Sequence, residues 1–93
     1  MAMEMIAVWL KIDEERVVQM LQEAAEKLGG GESETALDFS AVRQIDASAL
    51  DALEMFARRA DENGVKVVLH GVNIGLYKVL KLVKLASRFT FVS

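Results

Sequence analysis

The chain has 93 residues, 53% apolar and 27% charged, a balance that suits one folded domain with a modest core and excludes both a disordered chain and a membrane span. Lacking Cys, it can have no disulfide framework, thiolate metal site or cysteine nucleophile, and the cytosol is the expected compartment. The net charge of −3 hides an asymmetry: all fourteen acidic residues lie at or before Glu62, and Lys66, Lys78, Lys81, Lys84 and Arg88 follow it, so one end of the molecule is expected to be positive.

Met5 to Ile12 is apolar and β-favouring and reads as a first strand, since the chain start lacks the basic region and cleavage site of a signal peptide. Asp13 offers an N-cap, Glu14 and Glu15 put negative charge in a first turn, and Val17, Leu21, Ala24 and Leu28 recur at helical spacing. Gly29 to Gly31 closes that helix. The run is not followed by Lys and Ser/Thr, so it predicts a turn and not a phosphate loop.

Thr35 to Phe39 is a second strand. A second helix opens near Asp46, with Leu50, Leu53, Phe56, Ala57 and Ala60 as its apolar stripe and Asn63-Gly64 as its end. Val65 to Leu69 is the clearest strand, followed by a loop at His70 to Gly75. Leu76, Val79, Leu80, Val83 and Ala86 then repeat as one face of a third helix, and Phe89 to Val92 forms a last strand.

The order β-α-β-α-β-α-β predicts a single α/β domain over residues 1–93, in which helical crossovers join a mainly parallel four-stranded sheet. Three helices suffice to cover one face of it, giving two layers. The first strand could enter this sheet parallel or antiparallel.

Residues 36–93 resemble the STAS domain, the family of sulfate transporters and anti-sigma factor antagonists. The resemblance rests on Asp38-Phe39-Ser40 at a strand end, then Ile45-Asp46-Ala47-Ser48-Ala49-Leu50 opening a helix, then Gly64 to Leu69, Gly71-Val72-Asn73 and the Leu76 to Leu85 helix. It implies a STAS-like fold and a non-catalytic, cytoplasmic regulatory module that binds a protein partner through Asp46, Ala47, Ser48, Ala49 and Leu50. The implied partner is an anti-sigma factor, a serine kinase or a signalling or transport complex. The alternative is a structural subunit of a lipid-transport or chemotaxis-associated assembly.

Two residues depart from the family pattern. Ala47 stands where phosphorylated members carry Ser or Thr, and Ala49 stands where Gly is usual. Ser48 is therefore the candidate phosphorylation site, although Asp46 and Asp51 would oppose a phosphate there. Asp46 and Ser48 are also ordinary caps, and Ser48 to Asp51 has capping-box spacing.

Lys78, Lys81, Lys84 and Arg88, projected at 100° per residue, fall in one sector of the third helix and make a candidate electrostatic docking face for an acidic partner or anionic lipid. His70, the sole histidine, has no partner at ligand spacing and reads as a strand-end residue. Its loop, His70 to Gly75, lies near the strand ends, where ligands sit in open α/β sheets, and is a candidate for nucleotide binding. Overall acidity and few aromatics argue against nucleic acid. No nucleophile, acid–base pair or metal site is assembled in sequence, so neither an enzyme nor a cofactor is expected.

Overall fold

A computed structural model describes residues 7–92. The elements run β1 (Ala7–Lys11), α1 (Val17–Glu26), β2 (Glu34–Asp38), α2 (Ala47–Glu62), β3 (Lys66–His70), α3 (Ile74–Leu82) and β4 (Thr90–Val92), with 3-10 turns at Glu14–Arg16 and Ala86–Arg88. Met5 and Ile6 of the predicted first strand lie outside the described residues.

The strands stand in the order β1-β2-β3-β4 and every neighbouring pair is parallel. Of the two directions open to the first strand, the parallel one is found: α1 carries the chain back to the starting edge, as a parallel neighbour requires. Consecutive right-handed crossovers in this order place all three helices on one face. Leu37, Val67 and Leu69 point into that layer and share one core with Leu21, Phe56 and Leu80 of the three helices. Each such side chain contributes about 1.5–3 kcal/mol when fully buried.

Alternate strand residues face the other way. Trp9, Ala36, Val68 and Thr90 stand in one register row and Lys11, Asp38, His70 and Val92 in the next. The Trp9 and His70 rings lie 4.5 Å apart, tilted by 56°, on this helix-free side.

Helices α2 and α3 end in the same way with different residues. After α2, Gly64 at φ 68° lets its own N–H reach the Asp61 carbonyl and the Val65 N–H reach that of Ala60. After α3, Lys84 does this at φ 64°, its N–H bonding the Lys81 carbonyl at 3.1 Å and the Leu85 N–H bonding that of Leu80 at 2.8 Å. The predicted helical face extending to Ala86 is thus cut at Leu82.

Candidate docking site at the start of the second helix

Asp46 enters α2 with extended backbone, and its carboxylate accepts a hydrogen bond from the Ala49 N–H at 2.9 Å. This satisfies one of the helix's unpaired N-terminal donors. The cap is therefore Asp46, and Ser48, the second helical residue, is not the capping-box serine its spacing to Asp51 suggested. Asp46→Ala should cost about 0.5–2 kcal/mol. Thermal unfolding should show it as a fall of roughly 4–8 °C per kcal/mol, with Asp46→Asn keeping most of the stability.

The loop leading into this cap is held from two sides. Ser40 donates its N–H to Asp38 Oδ1 at 2.9 Å, and buried Val42 donates to the Phe39 carbonyl at 2.9 Å, folding the loop back over the sheet end. Glu14, ahead of α1, accepts the Arg43 N–H at 2.9 Å and faces its guanidinium at 3.6 Å. That backbone bond, with the Arg43 charge, holds the Glu14 carboxyl below its usual range. Asn73 donates from Nδ2 to the Arg43 carbonyl at 3.0 Å, while its Oδ1 caps α3 by accepting the Leu76 N–H at 2.7 Å. Segments 30 residues apart in sequence thus fix where α2 begins.

The five residues singled out in sequence do not share one role. Ala47 and Ser48 are exposed, Asp46 is exposed but engaged as the cap, and Leu50 is half-buried. Ala49 is only 3% exposed and packs in the core, its side chain backing the helix at the edge of a hollow shared with Gln44, Ile45 and Asp46. To one side of this ridge, Ala47, Leu50, Asp51 and Glu54 line a groove with Val83 and Leu85. To the other lies a hollow lined by Glu14, Arg43, Gln44, Ile45 and Asp46.

Val83, Leu85, Glu14 and Arg43 were not singled out in the sequence as part of this region. Helical periodicity placed Val83 on the third helix's buried face. Nothing in a sequence brings Glu14 to Arg43.

The four basic residues predicted for the third helix fall in different local structures. Lys78 and Lys81 lie on α3, with the Lys81 ammonium 6.0 Å from the Tyr77 ring centre. Lys84 sits in the left-handed turn, and Arg88, in the following 3-10 turn, bonds Asp61 of α2 at 3.2 Å. The projection at 100° per residue therefore holds for Lys78 and Lys81 and not for Lys84 and Arg88, which lie past the end of α3.

His70 ends β3 against Trp9. Beside it, hydrogen bonds from the Ser40 hydroxyl and N–H hold the Asp38 carboxyl below its usual range, with the charge of Lys11 adding to the effect. In the loop that follows, Gly71 adopts φ 71° and Asn73 serves as the α3 cap, which gives both residues structural duties. Among the described residues, no three His, Asp or Glu side chains gather so as to hold a metal, and no helix is long and apolar enough to cross a membrane.

Comparison with known proteins supplies a family. The sequence model of a family described as "Mlab, STAS domain" matches residues 5–92. A sulfate transporter family protein from Wolinella succinogenes superposes with a TM-score of 0.79 at 20% identity, over 98% of this chain and 80% of that one. A putative anti-sigma factor antagonist from Thermotoga maritima superposes with a TM-score of 0.74 at 18% identity, over 95% of this chain and 81% of that one. At such identities these likenesses speak for the fold. No curated protein matches the chain.

Proposed function

The chain belongs to the STAS domain family, and from that premise we propose that it is a non-catalytic regulatory module, one domain over residues 1–93, which binds a protein partner in the cytoplasm through the start of α2. The partner is an anti-sigma factor, a serine kinase or a component of a signalling or transport complex. Ala47, Ser48 and Leu50 make the contact; Asp46 and Ala49 hold the ridge in place from below. The observation that carries this reading is the exposed first turn of α2, standing between two hollows on a lead-in loop clamped by Glu14 and Asn73. A surface positioned in advance loses little entropy on binding.

Ala47 supports docking without the usual switch, because it has no hydroxyl to phosphorylate. At Ser48 a phosphate would meet the helix N-terminus favourably but stand between the carboxylates of Asp46 and Asp51. The same absence favours a second reading, a structural subunit of a lipid-transport or chemotaxis-associated assembly. Incubation with a candidate kinase and ATP separates a phospho-switch from both: mass spectrometry should find Ser48 unmodified.

The docking surface itself is tested by Ser48→Arg with Ser48→Ala as control, both at one exposed position and both checked for an unchanged circular dichroism spectrum. Partner affinity should fall at least about tenfold for Ser48→Arg, which forces a long charged chain into the interface, and little for Ser48→Ala. Equal affinity for wild type and Ser48→Arg would remove the proposal.

A further inference from the structure

Five of the nine large apolar side chains exposed among the described residues fall between Ile74 and Val83, on and just after one short helix. Leu76 and Leu80 face the core from α3, so the opposite sector, roughly 100° wide at 3.6 residues per turn, carries Ile74, Lys78, Lys81 and Leu82. Ile74 is 75% exposed and Leu82 81%. They stand about 12 Å apart along the helix, with the two lysines between them. Tyr77 flanks this face, half in contact with Phe91 at 5.0 Å between ring centres and within reach of the Lys81 ammonium.

Two protruding aliphatic side chains with cations between them resemble the outer face of a helix that lies in a membrane surface, where apolar side chains enter the headgroup boundary and lysine stems let their ammonium groups reach outward. The charge points the same way. After Glu62 the chain has no acidic residue, and Lys84 adds a further cation at the end of α3. Asp51 and Glu54 stand across the groove from Val83, to one side of this face. The cations on it are lysines, compact charges suited to a diffuse anionic surface, and it lacks the arginine fork that pairs with individual carboxylates.

We infer that the outer face of α3, through Ile74, Leu82, Lys78 and Lys81, rests on the surface of an anionic lipid bilayer. This surface is separate from the α2 ridge, so a partner bound there can be held at a membrane.

The test is sedimentation of the full chain with vesicles of phosphatidylcholine alone and of phosphatidylcholine mixed with phosphatidylglycerol. Binding is expected for the mixed vesicles only, weakening as salt rises and its screening length shortens. Two surface variants, Ile74→Ser with Leu82→Ser and Lys78→Glu with Lys81→Glu, are checked for an unchanged circular dichroism spectrum. The charge-reversed pair should lose binding by at least about thirtyfold, and the serine pair should also release the vesicles. Ser48→Arg should bind vesicles like wild type, which keeps this inference independent of the α2 docking reading. Failure to bind mixed vesicles overturns it, as does binding that survives both pairs of substitutions. Capture by immobilised poly-glutamate without vesicle binding would assign the face to an acidic protein and overturn it equally.

Discussion

Phe56→Ala is expected to lower the unfolding free energy by about 3–5 kcal/mol, more than any other single truncation proposed here. Phe56 is 0% exposed, at the middle of α2, and belongs to the core that joins all three helices to the sheet. Its removal forfeits the transfer energy of the ring and leaves a cavity that α2, pinned at both ends, cannot close by shifting. The pins are the Asp46 cap and the Gly64 turn. Small domains have about 5–15 kcal/mol in total, so the variant should retain only a fraction of its stability in equilibrium urea unfolding. Phe56→Leu, which keeps most of the volume, should lose clearly less. Equal midpoints for wild type and Phe56→Ala would contradict the packing described.

Gly71→Ala should be the other severe change, for a backbone reason. Gly71 adopts φ 71°, where an L side chain is strained by about 1–2 kcal/mol. A Cβ there would also stand 2.8 Å from Ser40 Cβ, 2.9 Å from its Cα and 3.0 Å from its N. The obstacle is mainly backbone, which cannot rotate away as a side-chain tip could, so overpacking adds roughly 1–3 kcal/mol. This close approach exists because the loop after β2 crosses the end of β3, where the Phe39 N–H bonds the His70 carbonyl at 2.7 Å. The expected consequence is a large drop in melting temperature together with loosening of the lead-in to α2, visible as faster amide exchange at Phe39 and Val42. Gly31→Ala is the comparison, since φ there is also positive but no atom lies within 4 Å of the added Cβ. It should cost strain alone.

These two sites show how differently the sequence exposes its structure. Phe56 was legible from periodicity, because a helix buried along one side must repeat its apolar residues at 3.6-residue spacing. The strand Val65 to Leu69 was legible from its run of β-branched residues, shifted by one residue to Lys66–His70. The end of α2 was announced by Asn63-Gly64, a pair suited to the left-handed turn. The end of α3 was not announced, because the residue that adopts the same turn is Lys84, whose chemistry favours continuing a helix. The placement of Lys84, Ala86 and Arg88 on an unbroken third helix was altered by that single backbone conformation.

At the start of α2, local chemistry carried further than distant contact. Asp46 is a preferred cap and serves as one, whereas Ser48, equally preferred, lies two residues inside because Asp46 had already taken the role. The core position of Ala49 follows from its place on the helix, three residues before Ala52 and four before Leu53, both of them buried. The clamp from Glu14 and Asn73 on Arg43 joins residues 29 and 30 positions apart and left no mark in the sequence.

The central claim, that the first turn of α2 meets a protein, is tested most directly by placing a photo-crosslinking amino acid at Ser48 in the full-length chain within its native cell. A control chain carries the same group at Glu26, exposed on α1. Irradiation should join position 48 to one defined protein, identified by mass spectrometry, and give no such adduct from position 26. An absence of adducts at 48, or the same adducts from both positions, would contradict docking at this helix start.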